Sequence, residues 1–124
     1  MSDSSRDLIG GWRLESWSLV HDDGRADDQP LGPDAKGFIL YTPDGHVSAT
    51  IMRAGGSDCF AYAGRYEIGD DTVFHSIEVS TNPALIGVRS TRHIKLDGNR
   101  LTLSGPDFSA GTGRTQKIVW LRAG

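Results

Sequence analysis

The sequence predicts an all-β protein in which eight antiparallel strands close into an up-and-down barrel. Short apolar stretches alternate with turns rich in glycine, proline and aspartate, and the stretches themselves repeat every two residues. No segment has the periodicity of a long amphipathic helix. Closure removes the exposed edges that an open sheet of eight strands would leave. A two-sheet sandwich is the alternative that the same pattern allows.

The strand pair around which the chain is organised lies in its middle, at residues 61–80. In its first strand Tyr62 and Tyr66 share one parity, and the second strand follows a turn at residues 69–71. On the inward face of that second strand we expect Val73, His75, Ile77 and Val79. Two phenols and an imidazole are unusual on an inward face, because buried polar groups need hydrogen-bond partners.

The other strands are predicted before and after this pair, at residues 12–21, 37–41, 46–53, 88–96, 100–104 and 115–122. In the first of them, Trp12 and Leu14 have one parity and Trp17 and Leu19 the other. A bulge near Ser16 would place all four on one face, as expected of a long strand that bends around a barrel.

The connections carry turn residues, among them the Thr42-Pro43-Asp44-Gly45 hairpin turn. Residues 22–36 are predicted to form a loop that is long for so small a domain. We expect residues 1–7 to be disordered, with Leu8 and Ile9 forming a short plug before the first strand.

Length and composition restrict the function. The 124 residues predict one domain over residues 1–124, and a net charge of -3 with scattered cations argues against nucleic-acid binding. The single cysteine, Cys59, excludes an internal disulfide, and no apolar run is long enough for a signal sequence or a membrane span. We therefore expect a cytoplasmic protein without a membrane partner. The small core makes a homodimer plausible.

Six short segments, taken in order and spacing, resemble single-domain lipocalin-like proteins of bacteria and fungi. They are Gly11-Trp12-Arg13-Leu14, residues 40–45 with Ser48-Ala49, residues 61–67, His75 with Glu78, Arg92 with residues 96–101, and Val119-Trp120. The resemblance implies an eight-stranded barrel with an internal cavity. It also implies two kinds of function, since some relatives are cofactor-free cyclases or isomerases of natural-product pathways and more distant lipocalins carry apolar ligands. No catalytic motif is common to the family.

Three residues on inward parities are the candidates for catalysis: His75, Arg92 and Tyr62. An imidazole can accept or donate a proton, a guanidinium can stabilise a developing oxyanion, and a phenol can donate a hydrogen bond. The structural alternative is that His75 is a satisfied core histidine and that Arg92 pairs with Glu78 or Glu67 at a barrel end.

Six further residues are candidates for ligand binding: Tyr66, Tyr41, Trp17, Ser48, Thr50 and Trp120. The aromatic residues among them have core packing as their alternative. Ser48 and Thr50 could line a polar cavity, but Val47, Ala49 and Ile51 are the better default for the inside of the same strand, which would leave Ser48 and Thr50 on the outer face. The histidines lack metal-ligand spacing and no nucleotide motif is present, so we expect no metal and no cofactor.

Together these features predict a cofactor-independent isomerase or cyclase that acts on a small, apolar, oxygenated, polyketide-like metabolite inside the barrel. The alternative is a non-catalytic binding or carrier protein for a small hydrophobic ligand. A structural barrel would instead have an interior filled by side chains.

Overall fold

The computed structural model describes residues 8–21, 23–24, 26–56, 58–106 and 114–123, and it contains a closed antiparallel barrel. Each strand pairs with the next one in the chain, and β8 returns to pair with β1. The eight strands are β1 (Gly10–His21), β2 (Lys36–Tyr41), β3 (His46–Met52), β4 (Cys59–Ile68), β5 (Thr72–Ser80), β6 (Arg89–Asp97), β7 (Arg100–Pro106) and β8 (Arg114–Arg122). The predicted up-and-down barrel is confirmed, and the fold is not the sandwich.

Strand β3 illustrates how the alternation of side chains places the core. Val47, Ala49 and Ile51 are buried inside the barrel, while the intervening residues are exposed. The strand follows the Thr42–Gly45 turn, where Gly45 has a φ of 93°, a conformation that favours glycine. The hairpin predicted from this turn is confirmed by the pairing of β2 with β3.

Two bulges change the parity of strands. In β1 the register with β8 shifts between Leu14 and Ser16, which confirms the bulge expected near Ser16. In β5 the register with β4 shifts so that Ala63 pairs with Val79 while Gly64 pairs with Ile77. The extra residue reverses the faces beyond it. Val79 is therefore 60% exposed, and its predicted inward position is wrong.

Leu8, just before β1, closes one end of the barrel. Leu8 is buried against the core and accepts a hydrogen bond from Trp12 Nε1 at 2.9 Å, which confirms its role as a plug. The Arg122 guanidinium lies 4.0 Å from the centre of the Trp12 ring, and its Nη1 donates to Ile9 O at 2.9 Å. These contacts join β1 to β8 at the closed end.

The opposite end of the barrel carries the longer connections. The connection after β1 folds back onto that strand through the bridge between Leu19 and Asp28, and His21 Nε2 lies 2.8 Å from Asp28 Oδ2. The connection after β5 contains a short 3₁₀ helix, Pro83–Leu85. Residues 1–7, for which we expected disorder, lie outside the described residues, as do residues 107–113 between β7 and β8. No described helical segment is long and apolar enough to cross a membrane.

Candidate ligand cavity

An internal cavity of about 220 Å³ opens toward the end of the barrel that carries the longer connections. All eight strands contribute residues to its wall. The lining residues are Trp17, Leu19, Pro30, Ile39, Ala49, Ile51, Phe60, Tyr62, His75, Ile77, Asn82, Leu85, Ser90, Arg92, Leu103, Gln116, Ile118 and Trp120. The wall is therefore mainly aliphatic and aromatic, with a small number of polar groups.

His75 lies at the centre of the polar part of this wall. Its imidazole is only 1% exposed, and both ring nitrogens have a tyrosine hydroxyl as partner. Nε2 lies 2.7 Å from Tyr41 Oη, and Nδ1 lies 3.0 Å from Tyr62 Oη. The hydrogen-bonding capacity of the ring is thus fully used by Tyr41 and Tyr62.

His75, Tyr41 and Tyr62 are uncharged at neutral pH, and the nearby Arg92 is positively charged. Burial, together with the positive charge of Arg92, lowers the pKa of His75 to about 3. Burial raises the pKa of Tyr62 to about 12, against an opposing effect of Arg92. Burial also raises the pKa of Tyr41, with smaller contributions from the neighbouring tyrosines. At neutral pH the imidazole is therefore uncharged and both phenols keep their protons.

Arg92 brings the positive charge to the cavity from strand β6. In the β5–β6 register Ser90 pairs with His75 and Arg92 pairs with Val73, so Arg92 is two residues from Ser90 on the inner face. The side chain is 9% exposed, and its Nη1 donates to Thr91 O at 3.1 Å. The carboxylates considered as alternative partners face other arginines, since Glu67 lies 3.5 Å from Arg89 and Glu78 lies 3.9 Å from Arg65.

A row of aromatic rings forms one side of the cavity. The centroids of Trp17 and Phe60, of Phe60 and Tyr62, and of Tyr62 and His75 are each 5.7 Å apart. The indole nitrogens Nε1 of Trp17 and Trp120 are buried and have no hydrogen-bond partner within the described part of the chain. Two indole donors thus accompany the polar groups of the wall.

The structure brings together five of the nine residues predicted for the site. His75, Arg92, Tyr62, Trp17 and Trp120 all line the cavity. Whether any of them takes part in catalysis or binds a ligand stays a prediction.

The other four predicted residues do not line the cavity. Ser48 and Thr50 are exposed on the outer face of β3, so their candidacy as ligand-binding residues is wrong, because the apolar set of that strand occupies the inside, as the default had it. The Tyr41 hydroxyl is hydrogen-bonded to His75, and Tyr41 is not part of the cavity wall. Tyr66 packs edge-on against Tyr41 at 4.8 Å, and its hydroxyl donates to Thr42 O at 2.7 Å, toward the closed end.

Sequence reasoning missed several residues that shape the cavity. Gln116 has the inward parity of Ile118 and Trp120, a signal that could have identified it. Pro30 and Leu85 belong to connections, where parity has no meaning. Gly105 makes room for Arg92, because a Cβ atom at this position would lie 2.9 Å from Arg92 Nη1 and 2.7 Å from Thr91 O.

The described residues offer little for a metal or a nucleophile. No three His, Cys, Asp or Glu side chains in the described ranges are grouped so that they could hold a metal ion. Cys59 is exposed at the start of β4. Aspartate and glutamate are absent from the described lining residues. The polar groups available in the cavity are therefore neutral hydrogen-bonding side chains and the positive charge of Arg92.

The family follows from a comparison with known domains. A family model described as a lipocalin-like domain matches residues 9–59 and 56–123. The chain belongs to the lipocalin-like domain family. No curated protein matches this lipocalin-like chain significantly.

Solved structures share the fold of this lipocalin-like chain at low sequence identity. A lipocalin-like protein from Bacteroides uniformis is 18% identical with a TM-score of 0.59, and the match covers 94% of this chain and 99% of the other. A redesigned β-barrel is 18% identical with a TM-score of 0.63, over 100% and 98% of the two chains. An uncharacterized protein from Bacteroides eggerthii is 18% identical with a TM-score of 0.55, over 93% and 99%. At this identity the likeness concerns the fold alone.

Proposed function

We propose that this lipocalin-like protein binds a small, mainly apolar molecule inside its barrel. The observation that carries the proposal is the cavity of about 220 Å³, whose apolar wall includes a few convergent polar groups. An apolar cavity of about 150 Å³ can hold a benzene ring. We therefore expect a ligand of one or two rings, smaller than a typical drug.

The three tryptophans provide a built-in test of where a ligand binds. Trp17 and Trp120 line the cavity, whereas Trp12 lies at the closed end under Arg122. Titration with 1-indanone, followed by the indole N–H signals in ¹H–¹⁵N spectra, should shift the signals of Trp17 and Trp120 and leave that of Trp12 in place. Equal shifts of all three signals, or no shift at millimolar probe, would count against binding in the cavity.

A substitution that fills the cavity should abolish this response. Ala49 is buried and lines the cavity, so Ala49→Leu adds three carbon atoms to the space that the ligand would occupy. We expect affinity for 1-indanone to fall about fivefold or more, since overpacking costs about 1–3 kcal/mol. Thr50→Leu is the matched control, because Thr50 is exposed on the outer face of the same strand. Unchanged affinity in Ala49→Leu would refute the proposed location.

Isomerase or cyclase activity is the second candidate function. Tyr62 and Arg92 border one cavity, and a hydrogen-bond donor beside a positive charge is what a developing enolate oxygen requires. Binding without catalysis is favoured, because both ring nitrogens of His75 already have tyrosine hydroxyls as hydrogen-bond partners. In addition, its pKa of about 3 makes the imidazole a weak base.

Exchange of the α-protons of 1-indanone in D₂O separates the two candidates. An enzyme that enolises the ketone should accelerate deuterium uptake above the buffer rate, and Tyr62→Phe should reduce the acceleration. Binding without accelerated exchange identifies a carrier or binding protein for this class of ligand. The polyketide-like nature of a natural substrate would then be tested with larger oxygenated compounds.

We also propose that the chain functions in the cytoplasm and that it can form a homodimer. The exposed free thiol of Cys59 supports a reducing compartment. The small core supports association, because additional buried area stabilises small domains. Light scattering coupled to size-exclusion chromatography would measure the oligomeric state directly.

A further inference from the structure

The hydrogen-bond chain from Tyr41 through His75 to Tyr62 has more protons than internal hydrogen bonds. Two phenols and one neutral imidazole carry three N–H or O–H protons, while the chain contains two contacts, at 2.7 Å and 3.0 Å. Each contact uses one proton. One hydroxyl proton must therefore point away from the chain, at either the Tyr41 end or the Tyr62 end.

The two ends of the chain differ in their surroundings. Tyr41 is 2% exposed, it does not line the cavity, and His75 is the only hydrogen-bond partner of its hydroxyl within the described residues. Tyr62 lines the cavity. A proton left over at Tyr41 would be a buried donor without an acceptor, whereas a proton left over at Tyr62 can reach whatever occupies the cavity.

We infer that His75 is held as the tautomer with its proton on Nδ1, and that the Tyr62 hydroxyl is thereby turned into a hydrogen-bond donor toward the ligand. Tyr41 Oη donates to His75 Nε2, His75 Nδ1 donates to Tyr62 Oη, and Tyr62 Oη donates into the cavity. All three hydrogen bonds then run in the same direction, an arrangement in which each bond polarises the next. Tyr41 is a positioning residue in this chain, and Tyr62 is the residue that contacts the ligand.

If the protein binds a ligand as proposed, the direction of the hydrogen-bond chain specifies the chemical class of that ligand. The ligand must present an acceptor oxygen, such as a ketone or enone carbonyl, where Tyr62 donates. The positive charge of Arg92 on the same wall favours an oxygen that carries partial negative charge, and the buried N–H groups of Trp17 and Trp120 add donors to the lining. Ligands with a cationic group, such as protonated alkylamines, should be disfavoured, because Arg92 on the same wall is also positively charged.

The first test needs no ligand. In protein labelled with ¹⁵N-histidine, the ring nitrogens of His75 report which one carries the proton. We expect Nδ1–H at pH 7, and a return to a mixture of tautomers in Tyr41→Phe, which removes the donor to Nε2. Observation of Nε2–H in the wild-type protein would overturn the inference, whatever the protein binds.

The second test compares two probes of equal shape, 1-indanone, which has a carbonyl oxygen, and indane, which has none. Tyr62→Phe should weaken binding of 1-indanone about 3- to 10-fold, the value of one neutral hydrogen bond, and leave indane within about twofold. Tyr66→Phe is the matched control, since its hydroxyl bonds Thr42 O outside the cavity. Both affinities should then stay at wild-type values.

The outcomes separate the inference from the proposed function. If both probes bind in the cavity and Tyr62→Phe weakens them equally, the donor role of Tyr62 is refuted while the binding function stands. If neither probe shifts the signals of Trp17 and Trp120, the binding function is refuted and the ligand class is refuted with it. The tautomer is decided by the first test in either case.

Discussion

Acidification should destabilise this protein through His75. Burial and the Arg92 charge lower the pKa of His75 in the folded protein to about 3, whereas a histidine in an unfolded chain titrates near 6.5. Between these values the unfolded chain binds a proton that the folded protein does not bind. The contribution of neutral His75 to stability is therefore complete above about pH 6.5, and it is lost progressively as the pH falls toward about 3.

The size of this effect follows from the one proton involved. Well inside the window, each pH unit costs about 1.4 kcal/mol of unfolding free energy. Between pH 6 and pH 4 the loss through His75 should therefore be about 2–3 kcal/mol. Because small domains are stable by only about 5–15 kcal/mol, such a loss is large enough to measure by urea unfolding.

The experiment compares wild-type protein with His75→Gln at pH 7, 6, 5 and 4. Glutamine is neutral over this range and can exchange hydrogen bonds with the tyrosines. We therefore expect the unfolding free energy of His75→Gln to depend less steeply on pH than that of the wild-type protein, by about 1.4 kcal/mol per pH unit. His93→Gln is the control, because His93 is exposed on the outer face of β6. A direct NMR titration of the His75 ring should show no protonation above about pH 5.

Two results would refute this reasoning. The first is a wild-type slope equal to that of His75→Gln between pH 6 and pH 4, which would mean that folding does not change the protonation of His75. The second is protonation of the folded protein's His75 near pH 6.5, which would mean that the ring is accessible to water or lacks its tyrosine partners.

Two further predictions concern the barrel itself. Gly64→Ala should cost at least about 2–3 kcal/mol of unfolding free energy, because a Cβ atom at Gly64 would overlap the backbone carbonyl oxygen of Ser76 across the β4–β5 bulge. Gly11→Ala, whose Cβ would meet a flexible side chain at 3.3 Å, should cost clearly less, and equal losses in urea unfolding would contradict this account. Arg122→Met should cost about 2 kcal/mol by removing the cation–π contact and the hydrogen bond at the closed end. Arg13→Met removes a similar cation–π contact on the surface, where the guanidinium lies 4.8 Å from a ring centre, and should cost less than about 1 kcal/mol. A larger loss in Arg13→Met than in Arg122→Met would contradict the role of the closed end.

The protonation of the cluster also bears on the choice between binding and catalysis. A general base works best when its pKa lies near the working pH. His75 is far from that condition, and both of its nitrogens are held by Tyr41 and Tyr62. The arrangement suits a fixed donor better than a proton acceptor, so any catalysis at this site would depend on stabilising an oxyanion.

Local sequence patterns were enough to predict the strands and their order. Alternating apolar residues such as Val47, Ala49 and Ile51 define an inner face, and the conflict of parity between Leu14 and Trp17 predicted a bulge that the β1–β8 register confirms. These predictions succeed because each depends on neighbours along the chain. The bulge in β5 had no such signal, since Ile77 and Val79 agree in parity and in polarity, and the outward position of Val79 was missed.

The site was predictable only as a set of inward residues. The sequence by itself determined that His75, Tyr62 and Arg92 belong to inner faces, because side-chain direction alternates along a strand. Only the tertiary structure decided that Tyr41 and Tyr62 reach the two nitrogens of His75, that Tyr66 turns toward the closed end, and that a cavity remains between them. The physical reason is that ring positions and empty volume depend on how side chains from all eight strands pack together, and no single strand carries that information.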